Sequence, residues 1–321
     1  MHERPRIGVV GATGAVGTVT LELLAERGFD DVRAFASARS AGRELPYGDR
    51  TLTVEEATPD ALAAGDLDLC FFSVGTEQSR ALVPHAARGG AVCVDKSDAY
   101  RLEDGIPLVV AGVNDDAIGD GDAIVANPNC SAMQLTCVLA PLRDAAGLAG
   151  VRLATYQSMS GAGDAGIERL RETEPMQADL SMDWDFDGEE FSEEWKLRAE
   201  TRKILGEPGL PLHATCVRVH YLVGHAQAVW VETERPLAPD EARELLAAAP
   251  HVELADFPTP GSAAGRDTVQ VGRIRRVATS EQGLALWIVN DNLRKGAALN
   301  AIQVAAAADP DRYGCLLPPP R

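Results

Sequence analysis

The apolar positions of the first 126 residues fall into short continuous runs, separated by segments whose apolar residues repeat at helical spacing. Arg6–Val10 predicts a strand, and Val16–Glu26 an apolar-periodic helix. Val32–Ala36 and Leu67–Ser73 predict further strands, with a short hairpin around Leu45–Val54 between them. A helix near Gln78–Arg88, a strand at Ala91–Asp95 and an extended run at Leu108–Val110 continue the series. Ala123–Ala126 is extended and Ala132–Leu139 is apolar, which predicts a strand-to-helix junction between them. Strands alternating with helices predict an α/β fold with a Rossmann-type doubly wound parallel sheet.

After about residue 150 the pattern changes. Val151–Met159 and Ala214–Val219 read as strands, and Gly224–Glu232 alternates as an amphipathic strand does. Thr268–Ala278 and Leu284–Asn290 predict further antiparallel strands. Met176–Lys203 is polar, with an acidic loop around Asp183–Glu194. A second, α+β domain with a mostly antiparallel sheet follows from this. Leu293–Ala308 is an apolar helix expected to return and pack on the first domain.

Composition narrows the class. The 321 residues are long enough for two cored domains, and they are 45% hydrophobic but only 5% aromatic, as suits buried parallel strands. No apolar run approaches the length of a membrane span, and Met1-His2-Glu3-Arg4-Pro5-Arg6 enters the first strand with no apolar signal region. A soluble cytoplasmic protein is expected. The net charge of −18 argues against nucleic acid or an anionic membrane as partner. The six cysteines (70, 93, 130, 137, 216 and 315) form no C-x-x-C pair and have no histidine companions at zinc spacing, so neither a disulfide nor a metal site is expected. Only four lysines occur, at 96, 196, 203 and 295, so each position where one is kept invites attention.

Four constellations carry chemistry. In Asn127-Pro128-Asn129-Cys130-Ser131 one cysteine stands at the start of the apolar helix. Unpaired N–H groups and a partial positive charge there favour a thiolate, the nucleophilic form; the bland alternative is a buried, inert thiol. Gly11-Ala12-Thr13-Gly14-Ala15-Val16-Gly17 follows a strand and opens a helix, the context in which glycines admit a pyrophosphate to a helix N-terminus. The second strand ends in Ser37-Ala38-Arg39-Ser40 with Arg43 close behind. Hydroxyls and a guanidinium there suit the 2′-phosphate of NADP, whereas an acidic residue would suit NAD. Farther on, Arg218 and His225 stand seven residues apart across a glycine turn and can face one pocket, with His220 as the rival histidine.

These segments, with three more, resemble one family from Ile7 to Gln303: the aspartate-semialdehyde dehydrogenases, in their bacterial and archaeal branch. The motifs are GATGAVG (11–17), SARSAG (37–42), NPNCS (127–131), QSMSGAG (157–163), EEWK with ETRKIL (193–205), RVHYLVGH (218–225) and DNLRKGAALN (291–300). The resemblance implies an NADP-binding domain at 1–126 with 292–321, and a catalytic and dimerisation domain at 127–291. It implies that Cys130 is the nucleophile, His225 the general acid/base and Gln157 the group orienting the covalent intermediate. Arg218 matches the ligand of the substrate α-carboxylate, Glu193 an acid near its amino group, and Arg101 with Lys196 the phosphate-binding pair. Gly11, Thr13, Gly14, Ala15, Val16, Ser37, Arg39, Ser40, Ser160, Gly161 and Asn292 match the nucleotide side. The implied reaction attacks β-aspartyl phosphate with Cys130, expels phosphate, and reduces the thioester with NADPH to L-aspartate 4-semialdehyde. It belongs to lysine, threonine and methionine synthesis and to a cytoplasmic homodimer.

Three positions depart from that family pattern. Ala111-Gly112-Val113-Asn114 lacks an expected carboxylate at 112, Asp95-Lys96-Ser97 carries Lys96 in place of Asn, and His220 replaces a proline. Lys96 is a candidate to compensate for the acid missing at 112. Two other readings stay open: a relative acting on a different acyl phosphate or acyl-CoA, and a homologue without catalysis that serves as a binding protein.

Overall fold

The structure is a computed structural model, and it describes residues 4–174 and 177–317. Residues 1–3 of the expected leader-free start, and Met176 at the head of the polar segment, lie outside that range. The chain divides into two compact units, residues 1–128 with 297–321 and residues 129–296.

The first unit opens with β1 (Ile7–Val10), α1 (Ala15–Glu26) and β2 (Val32–Ala36). A two-stranded hairpin follows, β3 (Glu44–Tyr47) and β4 (Arg50–Thr53), then β5 (Glu55–Glu56), α2 (Pro59–Leu62), β6 (Leu69–Phe72), α3 (Thr76–Arg88), β7 (Val92–Asp95) and β8 (Ile124–Ala126). Six strands form one parallel sheet in the order β5-β2-β1-β6-β7-β8. All four residues of β1 and of β6 are buried, as continuous apolar runs covered on both faces require. The order reverses between β1 and β6, the switch point at whose carboxyl edge open α/β sheets bind ligands.

Leu108–Val110 is not a strand of this sheet. It makes one parallel bridge, Leu108 to Ala126, and then stops. The Asn300 side chain takes the backbone groups a longer pairing with β8 would need, its Nδ2 donating to Val109 O at 3.1 Å and its Oδ1 accepting from Ala111 N at 3.1 Å, while Asn114 ties the opposite edge, accepting from Val110 N and donating to Leu108 O at 2.9 Å each. The sequence pattern shows an apolar run here but not this side-chain competition.

The second unit holds α4 (Cys130–Ala146), β9 (Gly150–Ser158), α5 (Gly163–Glu172), α6 (Ser192–Leu205), β10 (Leu212–Val219), β11 (His225–Glu232), α7 (Pro239–Ala248), β12 (Val252–Leu254), α8 (Pro260–Ala263), β13 (Val269–Arg276) and β14 (Gly283–Asn290). Its six-stranded sheet runs β10-β9-β11-β14-β13-β12. The β9–β11, β11–β14 and β13–β14 pairs are antiparallel, whereas β9–β10 and β12–β13 are parallel. The sheet is therefore mixed, with antiparallel pairing in the majority.

The apolar run from Leu293 is broken into two pieces. Arg294–Ala298 is a wide π-helical turn, and α9 (Leu299–Ala308) with α10 (Pro310–Tyr313) then belongs to the first unit. Leu299, Ile302, Val304 and Ala305 of α9 join Ile7, Val9 and Leu69 in one buried cluster. Among the described residues no helix is long and apolar enough to cross a membrane.

Candidate active site

In the second unit, Cys130 is the first residue of α4, and the residue before it holds the helix end in place. Asn129 is the N-cap: its Oδ1 accepts from Ser131 N at 2.7 Å, so the first turn gains a partner for one of its orphan donors. The backbone N–H of Asn129 donates to Glu200 Oε2 at 2.6 Å, and its Nδ2 donates to Glu193 Oε1 at 3.0 Å. Cys70, Cys93, Cys137 and Cys216 are buried; Cys130 is partly exposed and Cys315 exposed. Burial pushes the Cys70 thiol up to about 12 and raises the Cys93, Cys137 and Cys216 thiols as well. Those four are inert core thiols.

Glu193 and Glu194 occupy the first turn of α6 and point to different tasks. Glu194 caps its own helix, accepting from Phe191 N at 2.9 Å and also from Cys216 N at 2.8 Å. Glu193 is left to face the site, where its Oε1 also accepts from Gln157 Nε2 at 3.1 Å. One carboxylate oxygen thus ties Gln157 to the cap of the Cys130 helix. Lys196 lies one turn farther along α6 and is partly buried.

Register then sets the other groups. Gln157 on β9 is the direct partner of Arg218 on β10, and both are buried. The Arg218 guanidinium donates from Nε to both Asp183 oxygens, at 2.8 and 3.1 Å, and from Nη1 to Ser158 O at 3.1 Å. It lies over the Trp184 ring, 4.7 Å from the centroid. Backbone bridges between Ser181 and Arg218 bring that acidic loop onto the strand. Nη2 has no partner among the described residues, so the outer part of the fork remains available to a carboxylate.

His225 begins β11 and is fully buried. Its Nδ1 takes the Ser158 backbone N–H at 3.1 Å and lies 3.1 Å from Ser158 Oγ; Nε2 has no partner among the described residues. Burial, reinforced by the charge of Arg218 and opposed by the Gly224 backbone, pushes the imidazole down to about 3. The ring is neutral across the physiological range. A side chain at Gly161 would put its Cβ 2.9 Å from His225 Nε2 and 3.0 Å from Arg218 Nη1. Gly161 is therefore the point at which those two donors converge. Likewise a Cβ at Gly296, in the π turn, would lie 3.1 Å from both Cys130 Cβ and Asn290 Nδ2. Asn290 is the register partner of His225, so Cys130 and His225 border the same neighbourhood from two elements. His220, the rival, is half-buried and outside this cluster.

The glycine loop of the first unit separates packing from binding. A Cβ on Gly11, whose φ is +87°, would sit 2.3 Å from Ser73 O, and one on Gly17 would sit 2.1 Å from Gly11 O. Those two glycines are required by the protein itself. Gly14, the N-cap of α1, has nothing nearer than 3.5 Å to an added Cβ and no side-chain cap. It leaves backbone room and open donors at a helix N-terminus, which fits a dinucleotide phosphate. Ser37 and Arg39 are exposed and Ser40 is half-buried; Arg39 makes no hydrogen bond or ion pair among the described residues. A phosphate dianion fits this turn.

Comparison with known proteins agrees with this arrangement. Residues 6–121 match the family model of the semialdehyde dehydrogenase NAD binding domain, and residues 176–295 that of the semialdehyde dehydrogenase dimerisation domain. The aspartate-semialdehyde dehydrogenase of Streptomyces akiyoshiensis is 45% identical, covering 94% of this chain and 97% of its own. The enzyme of Corynebacterium glutamicum is 42% identical over 93% of this chain and 98% of its own. The chain belongs to the aspartate-semialdehyde dehydrogenase family. Among solved structures, aspartate semialdehyde dehydrogenase II of Vibrio cholerae complexed with ASA superposes with a TM-score of 0.91 at 37% identity, covering 97% of this chain and 100% of that one. The enzyme of Candida albicans with NADP shares the fold, with a TM-score of 0.78 at 24% identity.

Family membership leaves several placements that the motifs do not show. Asp183 and Trp184, beside Arg218, stand in a loop with no signal beyond its acidic composition, and Ser158, beside His225, lies within the QSMSGAG motif without a role the motif names. Asn292 is buried inside its own unit: its Oδ1 accepts from Gly224 N at 2.8 Å and from Ser158 Oγ at 3.0 Å, and its Nδ2 donates to Ser160 Oγ at 3.0 Å. In the first unit Arg101 is buried, donating to Asn127 O at 3.0 Å, to Asp98 at 2.8 Å and to Lys96 O; it braces its own loop. Gly112 has φ +79° and is exposed, its N–H donating to the Asp115 carboxylate at 3.0 Å. A glutamate at 112 would be strained in that backbone conformation.

Proposed function

We propose that the chain reduces L-4-aspartyl phosphate to L-aspartate 4-semialdehyde with release of phosphate, and runs the reverse, phosphorylating oxidation in the presence of NADP. The observation that carries this reading is the convergence of Arg218 and His225 on Gly161, beside Gln157 and the capped helix end bearing Cys130. Arg218 offers its open edge to the α-carboxylate, and Glu193 faces the amino group. Cys130 attacks the acyl phosphate carbon, the C–O bond to phosphate breaks, and a thioester remains. Gln157 holds the acyl group, His225 presents Nε2 to the carbonyl oxygen, and Lys196 supplies positive charge for the departing phosphate. NADPH, when bound, supplies the hydride. Residues 1–126 with 292–321 serve the nucleotide and 127–291 the chemistry, in the cytoplasm and in lysine, threonine and methionine synthesis. The test is phosphate-dependent reduction of NADP with L-aspartate 4-semialdehyde. Activity confined to N-acetylglutamate semialdehyde or to a CoA-dependent reaction would replace this substrate assignment, and no activity with any of them would remove the enzyme reading.

Arg39 carries the cofactor preference in this reading. Loss of one charge-assisted contact costs about 1.5–3 kcal/mol, or roughly 10- to 100-fold. Arg39→Asp is expected to raise the KM for NADP by that factor while leaving that for NAD unchanged or lower. Equal effects on both nucleotides would remove Arg39 from the 2′-phosphate.

The outward face of the second unit's sheet fits the homodimer. Ala154 and Ala228, and Ala228 and Trp287, pair across it, with Tyr156 37% and Trp230 41% exposed. Tyr156 and Trp287 meet at a tilt of 52°, with centroids 5.5 Å apart. Aromatic rings on a flat, small-residue surface suit burial against a second copy. Trp230→Glu is expected to shift the chain from dimer to monomer in sedimentation; an unchanged dimer would place the interface elsewhere.

A further inference from the structure

We infer that Asn290 is a further residue of the reaction: its side-chain amide donates a hydrogen bond to the Cys130 sulfur whenever that sulfur is a thiolate. The inference rests on the proposed reaction and adds a group that acts on its nucleophile.

Strand register carries it. Arg218 on β10 is opposite Gln157 on β9, and His225 on β11 is opposite Asn290 on β14. β9 and β11 pair through Tyr156 and Ala226, so one step farther along the same antiparallel register His225 is opposite Gln157. Residues directly opposite each other project to one face of a sheet. Arg218, Gln157, His225 and Asn290 therefore make one row across four strands. The first three are the groups assigned to the substrate carboxylate, the acyl group and its oxygen. Asn290 is the fourth.

That end of the row meets the nucleophile. An added Cβ on Gly296 would lie 3.1 Å from Asn290 Nδ2 and 3.1 Å from Cys130 Cβ, so the amide nitrogen and that carbon are no more than twice this distance apart. Rotation about the soft χ2 of asparagine and about χ1 of the cysteine can close the remaining gap between nitrogen and sulfur. Asn290 is fully buried, and neither Nδ2 nor Oδ1 has a partner among the described residues. An amide left so in a protein interior is costly, and a part in the chemistry is one of the few reasons to keep it. Ser131 Oγ, Gln134 and Gln227 Oε1 are unpartnered as well, but none stands in the row, and Gln227 Nε2 is committed to Ser131 O at 2.9 Å.

A carboxamide suits both states of the sulfur. Its Oδ1 accepts from the neutral thiol, and after a half-turn about χ2 its Nδ2 donates to the thiolate, a charge-assisted bond. Asn290 keeps its own protons throughout, so no bond is made or broken there. The thiolate is what attacks the acyl carbon and what leaves when the thiohemiacetal collapses, so one donor serves both steps, in addition to the helix start. The charged and titratable groups on the surrounding elements are Glu193, Lys196 and Glu200 on α6, Arg218 on β10, His225 on β11, and Asp291 and Lys295 after β14. All of them are retained in the variants below, so a change in Cys130 ionisation reports the amide.

The test is the pH dependence of iodoacetamide alkylation at Cys130, followed on its own peptide by mass spectrometry because Cys315 is exposed too. No substrate takes part. Loss of one charge-assisted bond weakens the preference for thiolate about tenfold, so in Asn290→Ala the midpoint is expected to rise by about one pH unit. A more basic thiolate is also a better nucleophile, with a Brønsted slope of about 0.4–0.5. The rate well below the midpoint is therefore expected to fall about threefold, and the high-pH plateau to rise about threefold. Asn290→Leu, close in shape but without the donor, is expected to match Asn290→Ala, and Asn290→Ser, which keeps a donor, to stay near the wild-type midpoint. In turnover Asn290→Ala is expected to lower kcat about 10-fold with the KM for NADP unchanged. An unmoved alkylation midpoint in Asn290→Ala and Asn290→Leu overturns the inference. Loss of the folded state in both, while Asn290→Ser folds, overturns it too, because the amide would then be structural. Failure of the wild-type enzyme to use aspartate semialdehyde would instead remove the substrate assignment, and the alkylation profile would still decide whether Asn290 acts on the sulfur.

Discussion

Cys130→Ala is expected to abolish phosphate-dependent NADP reduction by aspartate semialdehyde, lowering kcat by at least about 10⁴-fold, the scale on which removal of a covalent nucleophile falls. The loss would be chemical. Cys130 is only partly buried, and the cap from Asn129 and the bonds from Glu193 and Glu200 involve Asn129 and Ser131, not the thiol. The variant should therefore fold and bind nucleotide as the unsubstituted chain does, which thermal unfolding with and without NADP would establish. Acyl-enzyme trapped by rapid quench in the wild type and missing in the variant completes the case. An alanine variant that still turns over would exclude the thioester route.

Arg218→Lys is expected to reduce kcat/KM for aspartate semialdehyde by about 10²- to 10³-fold, since two charge-assisted contacts of roughly 1.5–3 kcal/mol each lose their geometry. The planar fork is used on both sides: its Nε side meets Asp183, Nη1 meets Ser158 O, and the open edge remains for substrate. An ammonium cannot hold the loop and the ligand at once. The same variant should bind NADP normally, because Arg218 belongs to the substrate side. Unchanged kcat/KM with a loosened 181–185 loop, read by hydrogen exchange, would make Arg218 a structural residue and move the carboxylate site elsewhere.

The larger architecture was open to the pattern of residues because periodicity reports burial directly. Val32–Ala36 is a strand over the span its apolar run predicts, and the hairpin and α3 fall where the turns and spacing put them. Leu108–Val110 is extended but pairs with β8 only at Leu108, because the Asn300 side chain takes Val109 O and Ala111 N, an effect no hydrophobic period contains. The helix expected from Leu293 forms from Arg294 to Ala308, but its first turn widens to a π turn, in which a Cβ on Gly296 would lie 3.1 Å from the Cys130 Cβ. The expected roles of Cys130, Gln157, Glu193, Arg218 and His225 could be named from motif order, since short motifs carry chemistry in residue type. Their supports could not. Asp183 and Ser158 meet Arg218 and His225 only through strand register and a loop bridge.

The amino-acid order alone determined two kinds of domain, a phosphate-ready glycine turn and one cysteine at a helix start, because each of these depends on neighbours within a few residues. Tertiary structure decided which atoms stand free: the unpartnered Nε2, the open edge of Arg218, and the engaged side chains of Asn292 and Arg101. That difference is physical. Hydrogen-bond saturation depends on groups far apart in the chain, and only packing brings Ser158 N–H to Nδ1 of His225, 67 residues farther along.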